Sequence, residues 1–424
     1  MGIQDKLKSK KGVLLKNTIM LYILQFSTYL LSFIVVPYET RTLGPEFYGK
    51  LGVAMSIMVY FQLIIDFGFI LSATEDVSRN REDLPFLKRV FSSVTIAKLI
   101  LTVISFCVLL LICQVVSKWH DDQLFFILFF FATAINSLIP DYLYRGLEDM
   151  TAITVRTVLI KLFFTLMIFI FLKKPEQIWI IPTLNIIGNS VALLFVYFHL
   201  KRKYQIIFCK VEGHHVLDSI RRSSKFFYSR IATTAYTAAN TIIIDLITAG
   251  GNTVGFYTSA DKLITTGKSA MSPIADSLYP YMVKNRDFKL IKKVLIIAEP
   301  VIIVACIIVF IFAEPLCKWF FGAEFGPVAP ILRVMLPIMI FILPSYILGF
   351  PTLTAMGLSK HANYSVIFGS IIHVINLAVL YFTGHINELT LAALISIAEA
   401  LILGYRIVVI WRHKDLLNQS ESNA

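Results

Sequence analysis

Residues 40–52 read TRTLGPEFYGKLG and lie between two long apolar runs. A chain this apolar has to have a reason to stop for an arginine, a Gly-Pro pair, a tyrosine and two further glycines. Gly44 permits a tight turn. Pro45 fixes φ and is suited to the first position of the next helix. Phe47 and Tyr48 are the residue types that anchor a hairpin at a membrane surface. The stretch therefore reads as a tight hairpin joining two membrane spans, with its aromatic residues at the outer interface.

Composition supports the membrane reading. The 424 residues are 57% hydrophobic and only 16% charged, against about 25% charged in soluble domains. The mean hydropathy is +0.74. The net charge of +12 lies in short segments between apolar runs, not in a basic domain that would hold nucleic acid. The first apolar run is too long for a signal peptide and no cleavage site follows it. Cys107, Cys113, Cys209, Cys306 and Cys317 have the spacing of neither a zinc site nor a disulfide framework and read as packing residues.

Twelve spans can be drawn, near residues 13–36, 49–72, 89–116, 123–144, 150–172, 178–200, 226–249, 254–282, 291–313, 326–350, 361–383 and 389–410. In lipid each must be helical, and the period-two alternation of a membrane barrel is absent. The expected fold is an all-α integral membrane protein. Its organisation is an N-terminal six-helix bundle, residues 1–200, a basic cytoplasmic linker, 201–225, and a C-terminal six-helix bundle with a short tail, 226–424. With the N-terminus inside, 27 of the 39 basic residues fall in cytoplasmic segments and 6 outside. The bias places both termini in the cytoplasm.

The hairpin has an echo. Ala249 to Leu263 reads AGGNTVGFYTSADKL, and an offset of 206 lays Gly44 on Gly250, Gly49 on Gly255 and Ala54 on Ala260. Tyr48 adjoins one second glycine, and Phe256 and Tyr257 follow the other. Two interfacial hairpins explain most single residues. Their match suggests two similar halves, a known transporter plan, with the path between them.

Ionisable residues at membrane depth face a cavity or a partner. Asp66 and Asp245 sit in apolar runs and are candidates for ion coupling. The basic candidates for a cavity are Arg156, Lys161, Lys262, Lys268 and Arg333, with Arg41 at the outer mouth; such cations suit a pyrophosphate or an anionic sugar. Lys98 reads as a snorkelling span-end residue, and His373 with Asn376 as an interhelical contact. Prolines in or beside the spans are kink sites. No Walker A loop, HExxH or GxSxG motif occurs, so nothing marks an enzyme, and no metal site is expected.

The segment from Pro37 to Arg79 resembles the N-terminal signature of the polysaccharide transporter family, the O-antigen and exopolysaccharide flippases of the MOP exporter superfamily. Arg41, Leu43, Gly44, Pro45, Tyr48, Gly49 and then Asp66, Phe67 and Gly68 carry it, with Gly250, Gly255, Tyr257 and Ala260, the run Phe320 to Pro337, and GLSK at 357–360. The resemblance implies a MATE-like fold in a bacterial inner membrane. It implies movement of undecaprenyl-pyrophosphate-linked oligosaccharide repeat units to the outer leaflet for O-antigen, capsule or exopolysaccharide assembly. It implies exchange against a proton or sodium gradient, without a cofactor, and a polymerase and chain-length regulator as partners. The alternatives are a multidrug or metabolite exporter, a flippase for peptidoglycan or teichoic-type precursors, and a non-transporting synthase subunit.

Overall fold

The computed structural model describes residues 10–248 and 251–416. Helices make up nearly all of them, and no strand occurs among the described residues. In chain order α1 is Lys10–Asp66, α2 Phe69–Arg79, α3 Leu84–Val115, α4 Ser117–His120, α5 Gln123–Leu138, α6 Asp141–Gly146, α7 Met150–Phe171 and α8 Ile180–Tyr204. They are followed by α9 Gly213–Ile247, α10 Gly251–Asn285, α11 Phe288–Ile311, α12 Ala313–Phe321, α13 Val328–Met335, α14 Pro337–Ile347, α15 Leu353–Ala355, α16 Ser359–Phe382 and α17 Glu388–Arg412. The basic stretch 201–225 is helical up to Tyr204 and again from Gly213.

The 57 residues of α1 would be about 85 Å long if straight, far more than a bilayer core of about 30 Å. They are not straight. Gly44 has φ 69° and ψ 174°, a region only glycine occupies readily. Asn17 and Arg81 lie on opposite sides of that break, yet both reach Glu148. The Asn17 amide donates to the Glu148 carbonyl at 2.8 Å, and Arg81 pairs with its carboxylate at 2.6 Å. The two arms therefore run antiparallel, and Gly44 is the turn between spans one and two.

Among the described residues, nine helical stretches are long and apolar enough to cross a membrane. One of them, residues 16–79, holds both arms of the first hairpin. Helix α10 falls outside the set because Asp261, Lys262 and Lys268 interrupt it, and α9 contributes the shorter apolar stretch Ala238–Ile247. Counting the two arms separately and adding α9 and α10 gives the twelve expected spans. Phe26, Leu111, Leu194 and Val301 point outward, as side chains in contact with lipid do. Side-chain caps begin several spans: Asp83 accepts from the Phe86 amide, Asp287 from Leu290, and Asn387 from Leu389 and Thr390.

The chain divides into two compact units. The first comprises Met1–Leu43 and Ala54–Ile231, the second Gly44–Val53 and Ala232–Ala424. The turn of the opening hairpin thus belongs to the second unit. There it packs on its own echo. A methyl group on Gly49 would stand 2.7 Å from the Gly255 nitrogen and closer still to the Gly251 carbonyl oxygen. A methyl on Gly255 would overlap the Pro45 carbonyl. The 206-residue offset lays Pro45 on Gly251, Gly49 on Gly255 and Gly52 on Thr258. Each glycine therefore meets the counterpart of the carbonyl that its own counterpart meets, and Gly52 faces Thr258 itself. Contacts reciprocated in this way define a local two-fold axis. Gly250, the remaining partner in the echo, lies outside the described residues.

This contact corrects the reading of the aromatic residues as interfacial anchors. Tyr48 and Tyr257 are buried at 4% and 1% exposure. Tyr48 and Phe256 each meet Phe325 edge-on, with ring centroids 6.4 and 6.1 Å apart. Backbone approach at the glycines draws the neighbouring rings inward with it. Adding a methyl where only backbone can yield costs about 1–3 kcal/mol. Gly49→Ala and Gly255→Ala should each lower the thermal midpoint in detergent. Gly404→Ala, where a methyl meets nothing within 4 Å, should leave it unchanged or raise it.

Candidate functional site

A charge inside lipid is costly unless it is paired, and the first unit pairs its charges. Phe67 and Gly68 break the helix after Asp66, with φ 39° and 81°. A methyl on Gly68 would lie 2.8 Å from the Phe226 Cβ, so the break also lets α9 approach. Lys98 on α3 donates to Asp66 at 2.9 Å and to the Ser137 carbonyl at 2.5 Å. Its side chain is only 7% exposed. Lys98 is therefore not a snorkelling span-end residue: the Asp66 carboxylate and the end of α5 hold it inside. Arg156 on α7 makes a two-pronged contact with Asp141, at 2.5 and 3.1 Å.

The second unit repeats the principle with different residues. Lys268 on α10 pairs with Glu399 on α17 at 2.6 Å, the latter 4% exposed. Arg406, counted by sequence among the cytoplasmic cations, is instead buried. It donates to the Ser345 hydroxyl and the Ser365 hydroxyl, both at 2.9 Å, and to the Ser345 carbonyl. The backbone is non-helical at Gly349, with ψ −118°, and the Ser345 carbonyl also accepts from the Leu348 N–H. Arg406 adds a side-chain donor to the same carbonyl. Asn240 donates to Tyr257 at 3.1 Å and to the Leu391 carbonyl at 3.3 Å, and contacts His373 at 3.2 Å. His373 is thus an interhelical contact, to Asn240.

The remaining candidates are scattered over both units. Arg41 is exposed beside the first turn, and Lys161 is half-buried on α7. Arg333 donates to the Phe310 carbonyl at 3.0 Å and lies over the Phe310 ring. Asp245 is buried, 6% exposed. Lys262 is half-buried on α10. Lys262 has no ion-pair partner among the described residues, unlike Lys268 one and two-thirds turns along the same helix. Residue reading overlooked Asp141, Glu299, Glu399 and the burial of Arg406. The signal was present in SIAEALIL at 396–403 and IIAEPVII at 296–303: a lone glutamate in an apolar run, the criterion that singled out Asp66 and Asp245.

At one end of the first unit Asp149 caps α7 by accepting from the Ala152 amide, and Lys203 and Tyr204 both donate to it at 2.7 Å. Burial raises the Asp149 carboxyl, but hydrogen bonds from Lys203 and Tyr204 outweigh it and hold the group below the ordinary range.

Helices of this number and order, with charges paired inside them, define a multi-pass membrane fold. The fold is similar to an inward-facing MATE-family multidrug transporter of the MOP superfamily, with a TM-score of 0.70, 16% identity and coverage of 96% of this chain and 99% of that one. It is also similar to the lipid II flippase MurJ in an inward closed conformation, with a TM-score of 0.72, 14% identity and coverage of 96% and 90%. The chain belongs to the polysaccharide biosynthesis protein family, whose model matches residues 14–286. It is 27% identical over 364 residues to a Shigella dysenteriae protein named "Putative O-antigen transporter", covering 85% of this chain and 91% of that one. An Escherichia coli K12 protein of the same name is 23% identical over 417 residues, covering 97% and 100%.

Two outcomes follow from the pairs. Removing one partner of Lys268–Glu399 strands a buried charge, at a cost of about 3–5 kcal/mol. Glu399→Met alone should therefore destabilise strongly, and adding Lys268→Met should recover most of the loss in a thermal melt. Asp149, with its carboxyl lowered in the folded state, contributes stability above the unfolded value of about 3.9. That contribution disappears as pH falls through the lower folded value. Asp149→Asn should flatten this part of the acid unfolding curve.

Proposed function

We propose that this protein is a flippase carrying polyprenyl-pyrophosphate-linked oligosaccharide from the cytoplasmic to the outer leaflet of a bacterial inner membrane. Both termini lie in the cytoplasm in this reading, since the basic residues gather on their side. The observation that carries it is Lys262: a half-buried cation on a polar helix of the second unit, without an ion pair among the described residues. A pyrophosphate is the partner such a cation suits. The family, the names of the two relatives and the flippase among the similar folds support the same cargo class.

Mechanistically, the polar head group enters the protein while the polyprenyl tail stays in lipid. Contact with Lys262 offsets part of the cost of stripping water from the phosphates. Lys161, half-buried on α7, is a second candidate for head-group contact. Arg156, Lys268 and Arg333 hold structure first, because each already has a protein acceptor. Alternating exposure of the head group to the two sides completes transfer. Asp66 and Asp245 are the candidates for coupling to a proton or sodium gradient. A polymerase consumes the flipped unit, with a chain-length regulator as a further partner.

The test is transfer of a labelled, pyrophosphate-linked oligosaccharide of polyprenol in proteoliposomes, read by access of an impermeant enzyme to the head group. Wild-type protein should move it. Lys262→Ala should slow transfer about tenfold or more, the loss of one charge-assisted hydrogen bond, while Lys262→Arg retains most of it and both remain folded. Unchanged transfer by folded Lys262→Ala removes the electrostatic role. No transfer of any such lipid by folded wild-type protein turns the reading toward an exporter of soluble compounds or a synthase subunit.

A further inference from the structure

Glu299 lies at the midpoint of α11, Phe288–Ile311. Both of its carboxylate oxygens are buried and neither has a hydrogen-bond partner among the described residues. Three other acidic groups have basic partners: Asp66 has Lys98, Asp141 has Arg156 and Glu399 has Lys268. Glu299 has apolar company instead. Leu295 and Ile302, four before it and three after, share its face of the helix. Both pack against the cluster that contains Leu343 and Ile347 of α14. The opposite side of α11 carries the outward-pointing Ile297, Val301 and Val304.

The surrounding elements offer no counter-charge. Along α11 itself the other titratable side chains are Cys306 and the exposed Lys289, Lys292 and Lys293, the lysines six or more residues from Glu299. On α14 the only titratable side chain is Tyr346. On α10, whose Met271 and Leu278 reach the same cluster, Lys268 is held by Glu399 and Asp276 is exposed. On α12 Glu314 and Lys318 pair with each other at 2.6 Å. An ionised carboxylate here would lack water, donor and counter-ion together, a state the interior of a bilayer does not tolerate. The next residue supplies a way out. Pro300 lies inside α11 and has no N–H for the Ile296 carbonyl, so the helix bends most readily beside the carboxyl.

We propose that Glu299 is a proton-exchange site: its carboxyl holds a proton in this conformation and trades it with water when α11 bends at Pro300. The proton leaves to water and returns from it, with no other group consumed. Within the transporter reading this gives the second unit a means of sensing a proton gradient. The site itself does not depend on what the cargo is.

Infrared spectroscopy of the purified full-length protein in lipid tests this without cargo, so its failure is separate from failure of the flippase reading. The wild-type spectrum at neutral pH should contain a protonated-carboxyl stretch that is lost in Glu299→Gln and shifts when the solvent is changed to D2O. Should Glu299→Gln not fold, Glu299→Asp, which keeps a carboxyl and moves its band, serves as the comparison. A wild-type spectrum whose carboxyl region is unchanged by the substitution overturns the proposal. So does a Glu299 band that stays unshifted through prolonged exposure to D2O, which would make the group a sealed structural acid.

Discussion

A charge that leaves water for the interior of a bilayer must find an opposite charge, or hydrogen bonds good enough to replace one. Much of this molecule follows from that constraint. Lys98 is held by Asp66 and a helix-end carbonyl, Arg156 by Asp141, Lys268 by Glu399, and Arg406 by serine oxygens next to a broken helix. Apart from Arg156–Asp141, only 15 residues apart, these contacts reach helices that are not consecutive in the chain, so they fix which helix faces which. Apolar side chains alone would not, because lipid is as good a neighbour for leucine as another helix is.

Against that background the exceptions are informative. Lys262 is a cation with no ion-pair partner, and Glu299 an acid whose oxygens have no hydrogen-bond partner, among the described residues. Both belong to the second unit, one on a polar helix and one in the middle of a very apolar helix. The first is suited to an anionic ligand that comes and goes. The second is suited to a proton, the smallest ligand that neutralises a carboxylate. Structure and the proposed activity thus draw on one rule, applied strictly at the paired sites and left open at these two.

The number of spans was legible because hydropathy integrates over some twenty residues and tolerates errors in any one. The hairpin and its echo were legible because glycine and proline restrict the backbone locally. What each hairpin touches was not. Tyr48 and Tyr257 look amphipathic in isolation, and only the close approach of Gly49 to Gly255 shows that they are buried. Lys98 and Arg406 were misread for a related reason: proximity to a span end does not say which way a side chain turns. The partner of Lys98 lies 32 residues away, and that of Lys268 lies 131 away. Glu399 and Glu299 were open to the same test that found Asp66, a lone acid in an apolar run.

The placement of Gly44–Val53 in the second unit has a consequence for biosynthesis. Residues 45–52 leave the ribosome early, but the surface they pack on, around residues 251–258, is 206 positions later. At about 5–20 residues per second, that interval lasts roughly 10–40 s. Throughout it the first hairpin is already in the membrane with its glycine face uncovered. Assembly of the second unit therefore cannot be completed by its own helices alone; it waits on a segment inserted long before, and that segment must remain unclaimed by any other helix until its counterpart arrives.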